Sequence, residues 1–198
     1  MKVVLASNNK GKLRELGELL AEQDIQVVPQ REFDIPDAVE DGLSFVENAI
    51  IKARHASALS GLPAIADDSG LEVDALQGEP GIRSARYAGD DAEDADNNRK
   101  LLAALADNSG ADRRARFQCV MVYMRHSKDP TPLICQGTWE GRILDEPRGD
   151  NGFGYDPLFW VPGEQASAAE LPAEIKNAQS HRGQALRCLL HKLAAQEG

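Results

Sequence analysis

Several stretches of this chain place polar and charged side chains where they could act together. In AIADDSGLEVDAL, Ala64 to Leu76, an apolar run ends in Asp67 and Asp68, with Ser69 and Gly70 following. Together with Glu40 upstream, these residues offer oxygen ligands of the kind a hard cation takes. Mg²⁺ commonly uses one or two carboxylates and draws the rest of its shell from substrate phosphates and water. Neighbouring side chains of a strand face opposite ways, so Asp67 and Asp68 are not expected to share one ligand. One should face a site, while the other caps, bridges or is solvated. The plain alternative is acidic residues in turns, common in a chain with 32 Asp and Glu, and on these residues alone it is favoured.

SNNKGK, Ser7 to Lys12, lies directly after an opening apolar run. A strand that feeds a helix start exposes backbone N–H groups and the positive end of the helix dipole, which suit an anion. Ser7, Asn9, Lys10 and Lys12 add donors and positive charge. Neither GxxxxGK[ST] nor GxGxxG is present, and a capped helix with exposed lysines is the competing reading. In NGFGYDPLFW, Asn151 to Trp160, glycines around Phe153 allow a ring and the backbone to approach a flat ligand. The ring could stack on a nucleobase whose edge donates to Asp156. Equally, the segment could be a glycine-rich turn entering the strand Leu158 to Val161, with Phe153 in the core. Lys176 and SHRG, Ser180 to Gly183, put His181 and Arg182 at a helix N-terminus, where the dipole favours neutral imidazole. An amphipathic helix with surface charges is the alternative there. His55, His126 and His191 have no metal-ligand spacing, and no Ser/His/Asp or Cys/His arrangement stands out.

The elements that must position these residues alternate between strand and helix periodicity. Lys2 to Ala6 reads as a buried strand, Ser7-Asn8-Asn9 as helix caps, and Leu13, Leu16, Leu19 and Leu20 as a helical stripe. A strand is expected at Ile25 to Val28. Ser44-Phe45-Val46-Glu47 is a capping box opening a helix to about Leu59, with Phe45, Ala49, Lys52 and Ala56 on one face. Ala64 to Asp67 and Leu71 to Leu76 are strand-like, with a turn between them. A helix is expected around Asp91 to Leu105. Strands are expected at Ala115 to Met124 and Leu133 to Leu144, the latter broken at Gly137, and the two should form an antiparallel hairpin. Ser180 caps a last helix striped by Leu186, Leu189, Leu190 and Leu193. The class is α/β with a mixed sheet, in one domain over residues 1–198, since no repeat or linker divides it.

Composition narrows the function classes. Hydrophobic residues make up 42%, as in an ordinary globular protein. A net charge of -10 argues against a partner bound by phosphate neutralisation along DNA or RNA, though not against a small phosphate ligand held by a local basic cluster. Cys119, Cys135 and Cys188 form no CxxC pair, so reduced thiols are expected rather than zinc or a disulfide framework. No signal peptide and no membrane-spanning run is expected, and the chain reads as a cytoplasmic protein.

Read in order, SxNxxK, GLSFVENAIIKA, AIADDSGLEVDAL, PGIRSARYAG, GFGYDP and SHRGQAL resemble the inosine/xanthosine triphosphate pyrophosphatase family over nearly the whole chain. The resemblance implies a homodimer of two-lobed α/β chains, with a long mixed central sheet flanked by helices and a nucleotide cleft between the lobes. It implies Mg²⁺-dependent hydrolysis of ITP, dITP or XTP to the monophosphate and pyrophosphate, removing deaminated purines from the nucleotide pool. Carried over by motif, Ser7, Asn8, Asn9, Lys10, Gly11 and Lys12 would hold phosphates, with Lys52 nearby. Glu40 and Asp68 would bind metal, Asp68 would accept a proton, and Ser69 would contact substrate. Phe153, Gly154, Tyr155, Asp156, Lys176, His181 and Arg182 would surround and read the base. Donors from Arg182, His181 or the backbone would then satisfy a 6-oxo group that adenine lacks. Asn8 stands where the family often has glycine, a departure that leaves the loop's donors intact. A carboxylate bound directly to Mg²⁺ is a weakened base, so an essential Asp68 is a firmer expectation than a basic one. Two other classes fit part of the pattern. A nucleotide sensor without turnover would not need Glu40 and Asp68, and a hydrolase of some other triphosphate would differ only in base recognition.

Overall fold

The structure, a computed structural model, describes residues 1–20, 25–107 and 112–195; the side chains of Glu18 and Leu19 lie outside the described set. Among the described residues the strands form one seven-stranded sheet in the order β2-β1-β3-β4-β5-β6-β7. These strands are β1 Lys2–Leu5, β2 Gln26–Pro29, β3 Ala64–Val73, β4 Arg114–Met124, β5 Leu133–Ile143, β6 Phe159–Val161 and β7 Ala166–Ser167. β1 runs parallel to β2 and β3, whereas β5–β6 and β6–β7 are antiparallel, so the sheet is mixed as expected. The helices are α1 Lys10–Leu20, α2 Phe45–Ser60, α3 Asp94–Ala106, α4 Ala173–Gln179 and α5 His181–Ala194.

The chain divides into two compact units. The first comprises Met1–Asp68, Cys119–Gly137 and Arg182–Gly198, the second Ser69–Gln118 and Thr138–His181. In the first unit, strand alternation sorts the apolar side chains onto two faces. Val3, Leu5, Ile65, Met121 and Tyr123 pack with Leu16 and Leu20 of α1 and Leu186 and Leu189 of α5. Their in-between neighbours Val4, Ala6, Ala64, Ala66, Val120 and Val122 pack with Ala49, Ala53 and Ala56 of α2. Small residues on α2 let that helix lie close to the sheet. In the second unit, Leu71, Val73, Phe117, Trp139 and Phe159 from strands pack with Leu101 and Leu105 of α3.

Two sequence expectations are corrected here. β3 is one continuous ten-residue strand, with no turn between Asp67 and Leu71. Both aspartates are buried within it, where cationic partners replace the water a turn would have supplied. β5 runs unbroken through Gly137, since a single glycine weakens a strand without ending it. α4, which follows Pro172, was not expected at all: its seven residues are too few to show an apolar period.

Candidate active site

The first unit gathers four carboxylates and three cations around the end of its share of β3. Asp67 lies on the strand face of Ile65, toward α1 and α5, and Asp68 on the face of Ala64 and Ala66, toward α2. Their partners follow from that alternation. Lys12 of α1 reaches Asp67 with Nζ 2.9 Å from Oδ2, and Arg182 of α5 places Nε 3.6 Å from the same oxygen. Arg182 is also tied through Nη1 to Glu15 of α1. Lys52 of α2 lies 3.0 Å from Asp68 Oδ1 and 3.3 Å from Glu40 Oε2. Lys52 is therefore a bridge between two carboxylates drawn from different parts of the chain.

Local sequence explains how each group is held. Asn9 Oδ1 accepts a hydrogen bond from the Lys12 amide (3.1 Å) and Ser7 Oγ from the Asn9 amide (3.2 Å), which starts α1 with Lys12 in its first turn. Asn8 donates to Asp37 at 2.8 Å, so the residue that stands in place of glycine is itself anchored. Ser44 caps α2, accepting from the Glu47 amide, while Glu47 accepts from Ser44 Oγ and the Leu43 amide. That cap fixes the register that presents Lys52 to β3.

Electrostatics separate the two aspartates. Burial disfavours charge on Asp67, but Lys12, Arg182 and Lys52 outweigh it and hold its carboxyl well below the usual range. Burial raises the Asp68 carboxyl above its ordinary value, against the pull of Lys52 and Lys12. Burial also works to lower Lys52, yet Asp68, Asp67 and Glu40 prevail and keep its ammonium above the ordinary value. Asp68 Oδ2 is buried without a hydrogen-bond partner. Among the described residues no group of three or more His, Cys, Asp or Glu could hold a metal alone. Two carboxylates, one with an unused oxygen, instead fit a hard cation that completes its shell with phosphate and water.

The second unit holds the aromatic set. Gly152, at φ +77°, turns the chain so that the Phe153 amide donates to Asp156 Oδ2 at 2.9 Å. Lys176 of α4 donates to the same oxygen at 2.6 Å and lies 5.2 Å from the centre of the Phe153 ring. Asp156 and Lys176 are both buried. From α3, Asp94 accepts from the Gly154 amide (2.7 Å) and Asn98 donates to the Gly154 carbonyl (2.9 Å), pinning both backbone groups of that residue. The Tyr155 hydroxyl donates to the Ser84 carbonyl at 2.8 Å. The His181 ring stacks on Phe117, with centroids 4.8 Å apart and planes 12° apart. A cavity of about 460 Å³, within the usual range for small-ligand pockets, is lined by Asn98, Asn151, Gly152 and Phe153 among others.

Lys12, Glu40, Lys52 and Asp68 thus meet in one cluster, and Phe153, Gly154, Asp156 and Lys176 in another. Ser7, Asn8, Asn9, Lys10 and Gly11 form the loop and first turn that carry Lys12, and Ser69 follows Asp68 in β3. Arg182 belongs with Glu15 and Asp67, and His181 with Phe117. Residues that sequence reasoning passed over are Glu15, Asp94 and Asn98. Glu15 carried a signal: it is an acid inside the apolar stripe of α1, between Leu13 and Leu16.

Proteins similar to this chain in sequence and fold are known. A dITP/XTP pyrophosphatase of Thioalkalivibrio sulfidiphilus is 60% identical over 98% of both chains. The dITP/XTP pyrophosphatase of Vibrio cholerae is 57% identical over 98% of both. Among solved structures, a HAM1 protein from Coxiella burnetii superposes with a TM-score of 0.92 at 55% identity, covering 98% of this chain and 99% of that one. The Staphylococcus aureus Ham1 protein gives 0.87 at 41% identity, over 99% and 100% of the two chains. The model of the Ham1 family matches residues 3–192, and the chain belongs to that family.

Proposed function

We propose that this protein hydrolyses non-standard purine nucleoside triphosphates, dITP and XTP as its relatives' names indicate and ITP with them, to the monophosphate and pyrophosphate in the presence of Mg²⁺. The observation that carries the reading is the Lys52 bridge between Glu40 and Asp68, beside the unused Asp68 Oδ2. A binding protein without turnover has no use for two carboxylates tied to one ammonium at the foot of a phosphate loop.

The charge count supports the cation. Lys12, Lys52 and Arg182 face Glu15, Glu40, Asp67 and Asp68 within these ion pairs, three positive charges against four negative, before exposed Lys10 is added. Such a cluster does not attract a polyphosphate by itself. Held by Glu40 and Asp68, Mg²⁺ would supply the missing positive charge and neutralise phosphate oxygens. The loop Ser7 to Lys12 presents donors and the start of α1 to the phosphates. The water whose oxygen bonds to the α-phosphorus would give up its proton at the Asp68 carboxylate, as the bond to the pyrophosphate oxygen breaks. Lys12 and Lys52 balance charge on the departing pyrophosphate.

The base is assigned to Phe153, Asp156 and Lys176. The Phe153 face stacks on the purine. The buried Lys176 ammonium, oriented by Asp156, donates to a 6-oxo group, whereas adenine would leave it facing an amino group. An unpaired buried donor costs ~1–3 kcal/mol, roughly one to two orders of magnitude in selectivity. Pyrophosphate release from dITP, XTP, ITP, GTP, ATP and dUTP, each with Mg²⁺ and with EDTA, tests the reading. Release from dITP, XTP and ITP well above that from ATP and dUTP, and dependent on Mg²⁺, is expected, with loss of at least about 10²-fold in Asp68→Asn. Full activity in that variant, or tight binding with no product, would refute it.

A further inference from the structure

A pair of thiols lies apart from the site described above. Cys135 is on β5 and Cys188 on α5, both in the first unit, and the Cys188 Sγ–H donates to Cys135 Sγ at 2.8 Å. A disulfide bond is about 2.05 Å long, so the two sulfurs stand about 0.8 Å from bonding distance. Both cysteines are free thiols; Cys135 is buried, whereas Cys188 is partly exposed. We propose that Cys135 and Cys188 are an oxidation site that closes to an intramolecular disulfide when the protein meets a peroxide.

The surroundings assign the two sulfurs different roles. Cys188 is the one a small oxidant reaches, and its thiol would react first: hydrogen peroxide oxidises it to a sulfenic acid and leaves as water. Cys135 then attacks Cys188 Sγ, the S–O bond breaks, and a second water departs with the Cys135 proton. Two thiols and one peroxide give one disulfide and two waters. Burial and the neighbouring Cys188 push the Cys135 thiol up to about 12, so it is a protected resolving thiol and not the first point of attack. The Lys192 ammonium, anchored 2.7 Å from the Ile134 carbonyl, also bears on Cys135 and favours the thiolate during that second step. Cys119, fully buried in the same apolar cluster, has its thiol pushed up to about 12, first by burial and then by Asp67, and remains reduced.

The bond would tie α5 to β5. α5 also carries Arg182, the partner of Asp67 and Glu15, so the link staples the helix that supports the buried ion pairs. It closes a loop from Cys135 to Cys188 and should raise the melting temperature by roughly 5 °C or more, since cross-linking restricts the unfolded chain. Titrating the full-length protein with hydrogen peroxide, then blocking with N-ethylmaleimide, tests this directly. An intact mass two hydrogens lower with one remaining blockable thiol is expected. So is a tryptic species joining DPTPLICQGTWEGR to CLLHK, which reduction separates. Cys188→Ser should lose both that species and the rise in melting temperature. Sulfinic acid on Cys188 without the linked peptide, or a link through FQCVMVYMR instead, would overturn the proposal. None of these readouts depends on catalysis.

Discussion

Asp67 and Asp68 share a backbone and a charge, yet the pleat of β3 gives them opposite environments and therefore opposite consequences when changed. Asp67 is fully enclosed by Lys12 and Arg182, so Asp67→Asn leaves two cations facing an uncharged amide. Breaking a buried pair in this way costs about 3–5 kcal/mol. Burial pushes the Asp68 carboxyl above its ordinary value, so its charge is held at a cost, and Asp68→Asn should lower stability less than Asp67→Asn while removing activity. Urea midpoints measured beside pyrophosphate release separate the two: a large midpoint loss belongs to Asp67 alone. The pH dependence has matching signs. Asp67, lowered on folding, contributes stability that is complete above the unfolded value of about 3.9 and is lost as pH falls toward its folded value. Asp68, raised on folding, contributes in the other sense: its share is present at low pH and lost as pH rises through its folded value. Acid-unfolding curves of Asp67→Asn should therefore be flatter below pH 4 than those of the parent. An unchanged acid limb would show that Asp67 does not carry the pair.

At the scale of elements, the turn before Phe153 is set by a glycine that nothing else can replace. Gly152 has φ +77°, and a Cβ there would fall 2.1 Å from Asp156 Oδ2. That carboxylate cannot swing away freely, because Lys176 and the Phe153 amide both bond to it. If these groups bind the base and not the reacting phosphorus, as proposed, Gly152→Ala is expected to raise KM for the purine triphosphate about tenfold or more, with kcat changed far less. Gly154 also has φ +63°, but a Cβ there would meet nothing within 4 Å, so Gly154→Ala should carry only the left-handed backbone penalty of ~1–2 kcal/mol. Equal KM effects from the two variants would argue against the Asp156 clamp. The turn between β4 and β5 offers a purely structural counterpart. Asp129 accepts from the Arg125 backbone and guanidinium and from the Thr131 amide, bonds that hold its carboxyl well below the usual range. Asp129→Asn should lower stability by about 1–3 kcal/mol at neutral pH without affecting turnover. Much of this scale was legible in the sequence. A continuous apolar run gave β1, alternation gave β4, Ser44 with Glu47 gave the start of α2, and the glycines around Phe153 marked a special turn. What stayed hidden depended on distant partners. The continuity of β3 through two aspartates needs Lys12, Lys52 and Arg182, whose approach no local pattern records. The same holds for Arg182 itself, whose position in the helix-start motif says nothing of Glu15. Asp94 and Asn98 take their meaning from Gly154, whose amide and carbonyl they hold across a sequence separation that no local pattern spans.

At the scale of the whole molecule, neither compact unit is a contiguous piece of chain. The chain passes from one to the other at Asp68–Ser69, Gln118–Cys119, Gly137–Thr138 and His181–Arg182. The first three crossings fall inside β3, β4 and β5, which are consecutive neighbours in the sheet. Domains that unfold separately are usually joined by exposed linkers with few hydrogen bonds, whereas here the joining residues belong to the sheet ladder. Losing one unit would strip these strands of part of their length, so the two should unfold together in spite of the chain's size. Natural reporters sit on opposite sides of the division. Trp139 and Trp160 both lie in the second unit, while Cys119, Cys135 and Cys188 all lie in the first. In a urea titration of the reduced protein, tryptophan emission and the reactivity of buried Cys119 toward a thiol reagent should therefore trace one curve with one midpoint. Pulsed labelling is needed, so that the reagent reads the population and does not pull the equilibrium. If Cys119 becomes reactive at a distinctly lower urea concentration than tryptophan emission shifts, the strands do not transmit unfolding. Glu40 and Asp68 of the first unit would then be lost independently of the Phe153 turn in the second.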